Sequence, residues 1–311
     1  MQDNVEKNII ATLAYFDVFS YPLTLSQILK YVPSRFEDIN DLKELLEDIP
    51  VIKESQGYYC LMDREEIIQK RKDREEISIK KMVRAEVVTK LISVIPFIQL
   101  IGVSGSLSMR NAELADDIDL FIVTQSNRLW LTRLLVVLAL MLAGQKRKRN
   151  EKVAQNKICP NMFVADNSLQ CVKSERTLYM AHEIVQMKVT YDKNATHNRL
   201  LASNNWISKF FPNIVIPKLS RKKSQYTSRI LSILENVLYI LQNVYMKRHK
   251  TLEKVGKKIA KFHPLEKGKI ITELYEYRLD NYLEKYNYLK WTGKEDAAFY
   301  FNTDKHSRII N

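Results

Sequence analysis

The sequence predicts a mixed α/β chain: a small mixed sheet, flanked by an N-terminal helical module that ends in a hairpin and by a helical C-terminal region. Two continuous β-prone runs, 97–103 and 118–123, lie close together in mid-chain and suit strands covered on both faces. Apolar residues at helical spacing dominate both ends. Only 7 Gly and 8 Pro among 311 residues leave little material for a turn-dense β-sandwich or a long flexible linker. Domains average roughly 100 to 200 residues, so this length implies two or three modules. The pattern divides the chain at 1–62, 63–92, 93–175 and 176–311.

The first helix is expected over 8–19, where Ile9, Ile10, Leu13 and Phe16 share a face and Tyr21-Pro22 stops it. Thr24 or Ser26 can cap a second helix running through Ile28 and Leu29 to Pro33. Residues 38–47 give a third, with Leu42, Leu45 and Leu46. Residues 51–61 read as two short strands around a Gln56-Gly57 turn. Three helices and a hairpin have the outline of a winged helix, but Asp41, Glu44 and Glu47 on the third helix would repel a DNA phosphate. Residues 63–92 alternate acids and bases and predict a long charged linker helix. From 95 to 166 the order is strand, turn, strand, helix, strand, with 130–142 as the covering helix and 161–166 as the third strand. Beyond Arg176 the chain is expected to be largely helical, with Ile230, Leu234, Val237, Leu238, Leu241 and Val244 on one apolar face.

Charge is unevenly spread. The chain carries 49 Lys plus Arg against 36 Asp plus Glu, a net +13. Residues 216–270 hold 14 of the bases against Glu235, Glu253 and Glu266, a net +11. A second basic cluster is Lys146-Arg147-Lys148-Arg149. Such clusters attract nucleic acid, other polyanions or an anionic membrane face, or simply solvate helix surfaces. Three widely spaced cysteines, Cys60, Cys159 and Cys171, form no CxxC pair and fit a reducing cytoplasm. The N-terminus lacks a basic region followed by an apolar core, so no signal peptide is expected. The longest apolar stretch, 129–143, is interrupted by Thr132 and Arg133 and falls short of the roughly 20 residues of a bilayer span.

The stretch with chemical content runs from Gly102 to Val123. Alternate side chains of a strand share a face, so Asp117 and Asp119 project together while Ile118, Leu120 and Ile122 enter the opposite layer. Two carboxylates this close repel unless a cation neutralises them, and a divalent metal with oxygen ligands is the natural partner. Upstream, a strand that breaks at Gly105-Ser106 frees backbone N–H groups and a hydroxyl for a phosphate, and Arg110 adds a guanidinium fork. Asp116 points away from Asp117 and reads as a turn or capping residue.

An apolar strand, Gly105-Ser106-Leu107-x-x-Arg110, and then Asp117-x-Asp119 inside a second apolar strand resemble the DNA polymerase beta-like nucleotidyltransferase superfamily, in its minimal, aminoglycoside-modifying and antitoxin-type branches. Asn111 stands where many relatives have Gly. The resemblance implies transfer of a nucleoside monophosphate from an NTP to an acceptor hydroxyl, with release of pyrophosphate. It implies that Asp117 and Asp119 ligate one or two Mg ions, and that Gly105, Ser106 and Arg110 bind the nucleotide phosphates. For the further carboxylate or base that such enzymes use, Asp166 and Glu183 are both candidates.

No HExxH, GxSxG, Walker or Rossmann signature is present, and the five histidines show no metal-ligand spacing. His182 could assist Glu183, or pack. Trp206 and Trp291 could stack on a base, or pack. The acceptor could be RNA, protein or a small molecule, and the field of residues 216–270 favours a polyanion such as RNA. The alternative to catalysis is a regulator that binds nucleotide or nucleic acid through the winged-helix-like module.

Overall fold

The computed structural model describes residues 2–147, 154–218, 228–247, 254–261 and 266–285. Trp291, Lys148, Arg149 and part of the basic 216–270 segment lie outside the described residues. The chain begins with α1 (Gln2–Asp17), α2 (Leu25–Tyr31) and α3 (Ile39–Asp48), followed by the antiparallel hairpin β1 (Ile52–Ser55) and β2 (Tyr58–Leu61). The Thr24 N–H donates to Gln27 Oε1 at 3.0 Å to start α2, and Asp38 accepts from the Asn40 N–H at 2.9 Å to start α3. The long charged helix is α4 (Glu66–Ser93).

Then come β3 (Ile98–Val103), β4 (Ile118–Thr124), α5 (Leu129–Leu142), β5 (Ile158–Ala165), α6 (Leu178–Gln186), β6 (Lys188–Asp192), α7 (Thr196–Ser203), α8 (Arg229–Lys247), β7 (Lys254–Val255), β8 (Ile259–Lys261) and α9 (Glu266–Lys285). Six of these strands form one mixed sheet in the order β6-β3-β4-β5-β8-β7, in which only β4 and β5 are parallel. The described part of the chain beyond Arg176 is largely helical, as expected, but it also supplies both edges of the sheet, which the sequence reading did not place there. These edge strands are two to five residues long and rich in Lys, so no apolar run betrays them.

The sheet is covered on both faces. Ile118, Leu120 and Ile122 are fully buried against α4 and α5, and each contributes roughly 1.5–3 kcal/mol by leaving water. The other face belongs to a cluster that runs without a break from α1–α3 through Leu100, Val123 and Val164 to α6, α7 and α9. His182 of α6 sits in its middle, stacked 4.2 Å from Tyr15 and in contact with Phe16, Tyr31 and Phe211. Burial drives its imidazole well below the usual range, so it is neutral and packs, with Gln186 Nε2 at 2.9 Å from its Nδ1. Buried Asp17 adds a polar tie, pairing with Arg64 at 2.7 Å and with Arg278 of α9.

Helix α8 is attached to the sheet's other layer by polar groups. The Glu235 carboxylate, 6% exposed, accepts from the Trp130 N–H at 2.8 Å and the Leu131 N–H at 2.9 Å, so a residue of α8 caps the N-terminus of α5. Glu235→Ala leaves two buried donors without partners and is expected to lower stability by ~2 kcal/mol or more, while Glu235→Gln, which keeps one acceptor, loses about half as much. Urea denaturation of the three proteins measures both.

Candidate active site

The acids sit where β4 begins. The loop before it is held by Lys81 of α4, whose buried ammonium donates to the Leu114 carbonyl (3.1 Å), the Asp116 carbonyl (2.6 Å) and Asn156 Oδ1 (3.1 Å). Asp116 caps that loop as expected: its Oδ2 accepts from the Glu113 N–H at 3.0 Å and from Ser106 Oγ at 2.9 Å. Asn111 anchors the loop's other side, donating to the Phe19 carbonyl at 3.0 Å and accepting from Arg74 at 3.2 Å.

Gly105, two residues past the end of β3, has φ +68° and ψ −155°, a region essentially closed to residues with a Cβ. A Cβ there would also lie 3.1 Å from Asp119 Oδ2. Backbone and contact thus both demand glycine, and the chain passes close over a carboxylate. Ser106 opens the short 3-10 turn 106–109, whose first N–H groups have no partner within the turn itself.

Asp117, Asp119 and Cys159 bring one ligand atom each within 4.8 Å of one another. Cys159 is there because β5 runs parallel to β4 and pairs residue for residue, Asp119 with Cys159. Burial, then Asp119 and Asp117, push its thiol far up, so it remains S–H and is hydrogen bonded to Asp119. Asp117 is raised by burial and by Asp119, and lowered by Arg147, whose guanidinium lies 2.7 Å from Asp117 Oδ2. Arg147 arrives through its own backbone, its N–H donating to the Ile158 carbonyl at 2.9 Å. Sequence reasoning counted Arg147 only in a basic cluster. The signal it offered was position: it closely precedes the strand that pairs with the acids.

The same sheet face floors a cavity of about 610 Å³. Ser104, whose N–H donates to the Asp119 carbonyl at 3.0 Å, lines it with Phe121 and Asn161, and α6 roofs it with Tyr179 and Glu183. Burial first, then Glu183 and Asp119, raise the Tyr179 hydroxyl, which donates to Glu183. Glu183 therefore belongs to the cleft that the acids border.

Two expected site residues are elsewhere. Asp166 follows the C-terminal end of β5, roughly 20 Å along the strand from Cys159 at ~3.3 Å per residue. There its Oδ1 accepts from the Ser126 N–H at 2.9 Å and from Ser126 Oγ at 2.5 Å. The parallel register takes it away from Asp117 and Asp119, and its expected reach to the metal site is corrected. Arg110 is 61% exposed at its side chain and pairs with Glu75 of α4 at 3.1 Å, on the outer side of the turn. Trp206 is buried and donates to Asn204 Oδ1 at 3.0 Å, a packing residue.

The donor set fits a hard cation through its carboxylates alone, since a neutral thiol is a poor ligand for magnesium. The chain matches no family model, no curated protein and no solved structure.

Between the usual 3.8 and its raised value, Asp117 holds a proton in the folded state that it loses on unfolding. Rising pH through that window therefore lowers stability. Asp119→Asn removes one cause of the shift, so its melting temperature is expected to exceed wild type by about 2–4 °C at neutral to mildly alkaline pH. The gain disappears well below 3.8, where Asp117 is protonated whether the chain is folded or not. Thermal denaturation of both proteins across pH is the check.

Proposed function

We propose that the chain is a Mg-dependent nucleotidyltransferase of the DNA polymerase beta-like superfamily, moving a nucleoside monophosphate from an NTP to an acceptor hydroxyl. The observation that carries this reading is the pair Asp117 and Asp119 on one strand face, with the Gly105 turn pressed against Asp119 and a cleft of about 610 Å³ alongside. Asp117 and Asp119 would hold the metal, which when bound offsets charge on the phosphates. The N–H groups at Ser106 offer the terminal phosphates donors, and Arg147 is near enough to Asp117 to serve them too. Arg110, paired with Glu75, is a weaker candidate for that role. Glu183 is the better candidate for taking the acceptor's proton, because it lies in the cleft and Asp166 does not. In this reading helices α1–α3 and the β1–β2 hairpin are a winged-helix-like module used for packing. The acids Asp41, Glu44, Glu47 and Asp48 are exposed on α3, where a DNA reader would carry bases.

A second reading, a nucleotide-binding regulator, draws on one observation: β5 offers the thiol of Cys159 opposite Asp119 where a third carboxylate would sit. Titration calorimetry of ATP, GTP, CTP and UTP with Mg, together with pyrophosphate release, separates the two. The transferase reading expects metal-dependent binding of at least one NTP, lost in the Asp117→Asn, Asp119→Asn double variant, and turnover with a suitable acceptor. Binding without any pyrophosphate release across RNA, protein and small-molecule acceptors favours the regulator, and no binding at all removes both. Glu183→Gln is expected to reduce turnover by ~100-fold or more with NTP affinity kept. Asp166→Asn is expected to change stability alone. Gly105→Ala should weaken NTP binding while the fold persists.

A further inference from the structure

The cavity beside the acids has two unlike ends. Near Asp119 its lining is polar, with Ser104 and Asn161 on the floor and Tyr179 and Glu183 on the roof. From there it runs along β5 away from Cys159, past Met162 to Val164 and the loop at Leu169, roughly 10 Å from Asn161 to Val164 at ~3.3 Å per residue. Over this length the walls are aliphatic. Met180 and Ile184 of α6, Leu200 of α7 and Ile259 of β8 complete them. Phe121, Met162, Met180 and Ile259 line the space while only half-buried, so folding leaves apolar surface there that a ligand would take out of water.

The charges around the cavity nearly cancel. Four acids and three bases line it, with Lys261 tied to Glu175 and Lys269 to Glu273 at 3.8 Å. A polyanion such as RNA finds no positive field here, and a polycation no negative one. No arginine is among the described lining residues, and the aromatic rings are Phe121 and Tyr179 at the acid end, whereas a splayed base is normally held by rings or guanidinium planes. Three methionines, Met162, Met180 and Met187, give walls that adapt to an irregular aliphatic shape. The volume of about 610 Å³ falls within the ~300–1,000 Å³ of small-molecule sites.

We infer that this cavity is the acceptor subsite and that the acceptor is a small, uncharged, mainly aliphatic alcohol, its hydroxyl at the Glu183 end and its carbon body along β5. The proposal rests on the transferase reading and names the acceptor class which that reading leaves open. The alcohol oxygen attacks the α-phosphorus of the NTP and forms a P–O bond there. The bond from that phosphorus to the oxygen bridging it to the β-phosphate breaks, pyrophosphate leaves with the electron pair, and the hydroxyl proton passes to Glu183.

The test titrates hexan-1-ol, octan-1-ol and decan-1-ol, a short RNA and an aminoglycoside into the full chain by calorimetry, and follows pyrophosphate release with each in the presence of Mg and NTP. Affinity for the alcohols is expected to rise about threefold per added methylene. They alone are expected to raise pyrophosphate release, by ~tenfold or more. Ile259→Trp and Met180→Trp fill the aliphatic end. Each should keep the wild-type circular dichroism spectrum and NTP affinity and lose ~tenfold or more in alcohol affinity. Absence of alcohol binding overturns the proposal, as does binding that is indifferent to chain length or survives both Trp variants; Mg-dependent NTP binding then keeps the transferase reading alive. Release stimulated by the RNA or the aminoglycoside and not by the alcohols overturns it in favour of an ionic acceptor. Binding of both alcohol and NTP without release overturns the acceptor role. Alcohol binding needs neither metal nor Asp117 and Asp119, so a chain that binds the alcohols and no NTP shows the transferase reading failing, and the acceptor role with it, by a result distinct from failure of the cavity itself.

Discussion

Carboxylates two residues apart on a strand face the same way, and at that separation their negative charges repel. Asp117 and Asp119 are in this position, and much of their surroundings makes it tolerable. Arg147 lies against Asp117, and Cys159 meets Asp119 as an uncharged thiol. A third acid, Asp116, is diverted to the loop, where Ser106 and the Glu113 N–H occupy its carboxylate. Ile118, Leu120 and Ile122, fully buried on the opposite face, prevent the strand from slipping a residue to relieve the repulsion, because a slip would put them in water. The pair is thus held by the hydrophobic layer beneath it rather than by any attraction of its own.

The sheet that carries the pair is assembled from distant parts of the chain. Its centre comes from 98–124, and its edges from 188–192 and 254–261. The cleft is closed by α6 above and by the first turns of α9 at one side, so the region beyond Arg176 both completes the floor and supplies the walls. Asn161 and Lys261, from neighbouring strands, face into the same space as Glu183 and extend the polar lining away from the acids.

The central features were legible because each had a local cause. Apolar runs mark β3 and β4, helical spacing with Thr24 and Asp38 as start signals marks α2 and α3, and the alternation in 117–122 places the acids on one face. What escaped depended on pairing. Asp166 looked close to the acids when read as the end of a strand near theirs, and only the parallel register sends it to the opposite edge. Cys159 and Arg147 enter the site through the partner strand and its neighbouring loop, relations that no periodicity encodes. The edge strands are too short and too charged to stand out from loops, and the pairing of Arg110 with Glu75 joins residues far apart in sequence.

His182 and Glu183 are neighbours on α6 that face different worlds: the first is locked among Tyr15, Phe16, Tyr31 and Phe211, and the second lines the cleft. The roof of the cleft is for that reason a lever whose other arm is embedded in the N-terminal helices. Widening the cleft by lifting α6 has to drag α1 and α2 along or tear a stack of aromatic rings, and ring stacks of this density have no soft intermediate positions. The N-terminal unit then acts as ballast that sets how far the roof can travel. The width of the cleft is in that sense set from outside it, by how firmly the aromatic rings of the N-terminal helices hold His182.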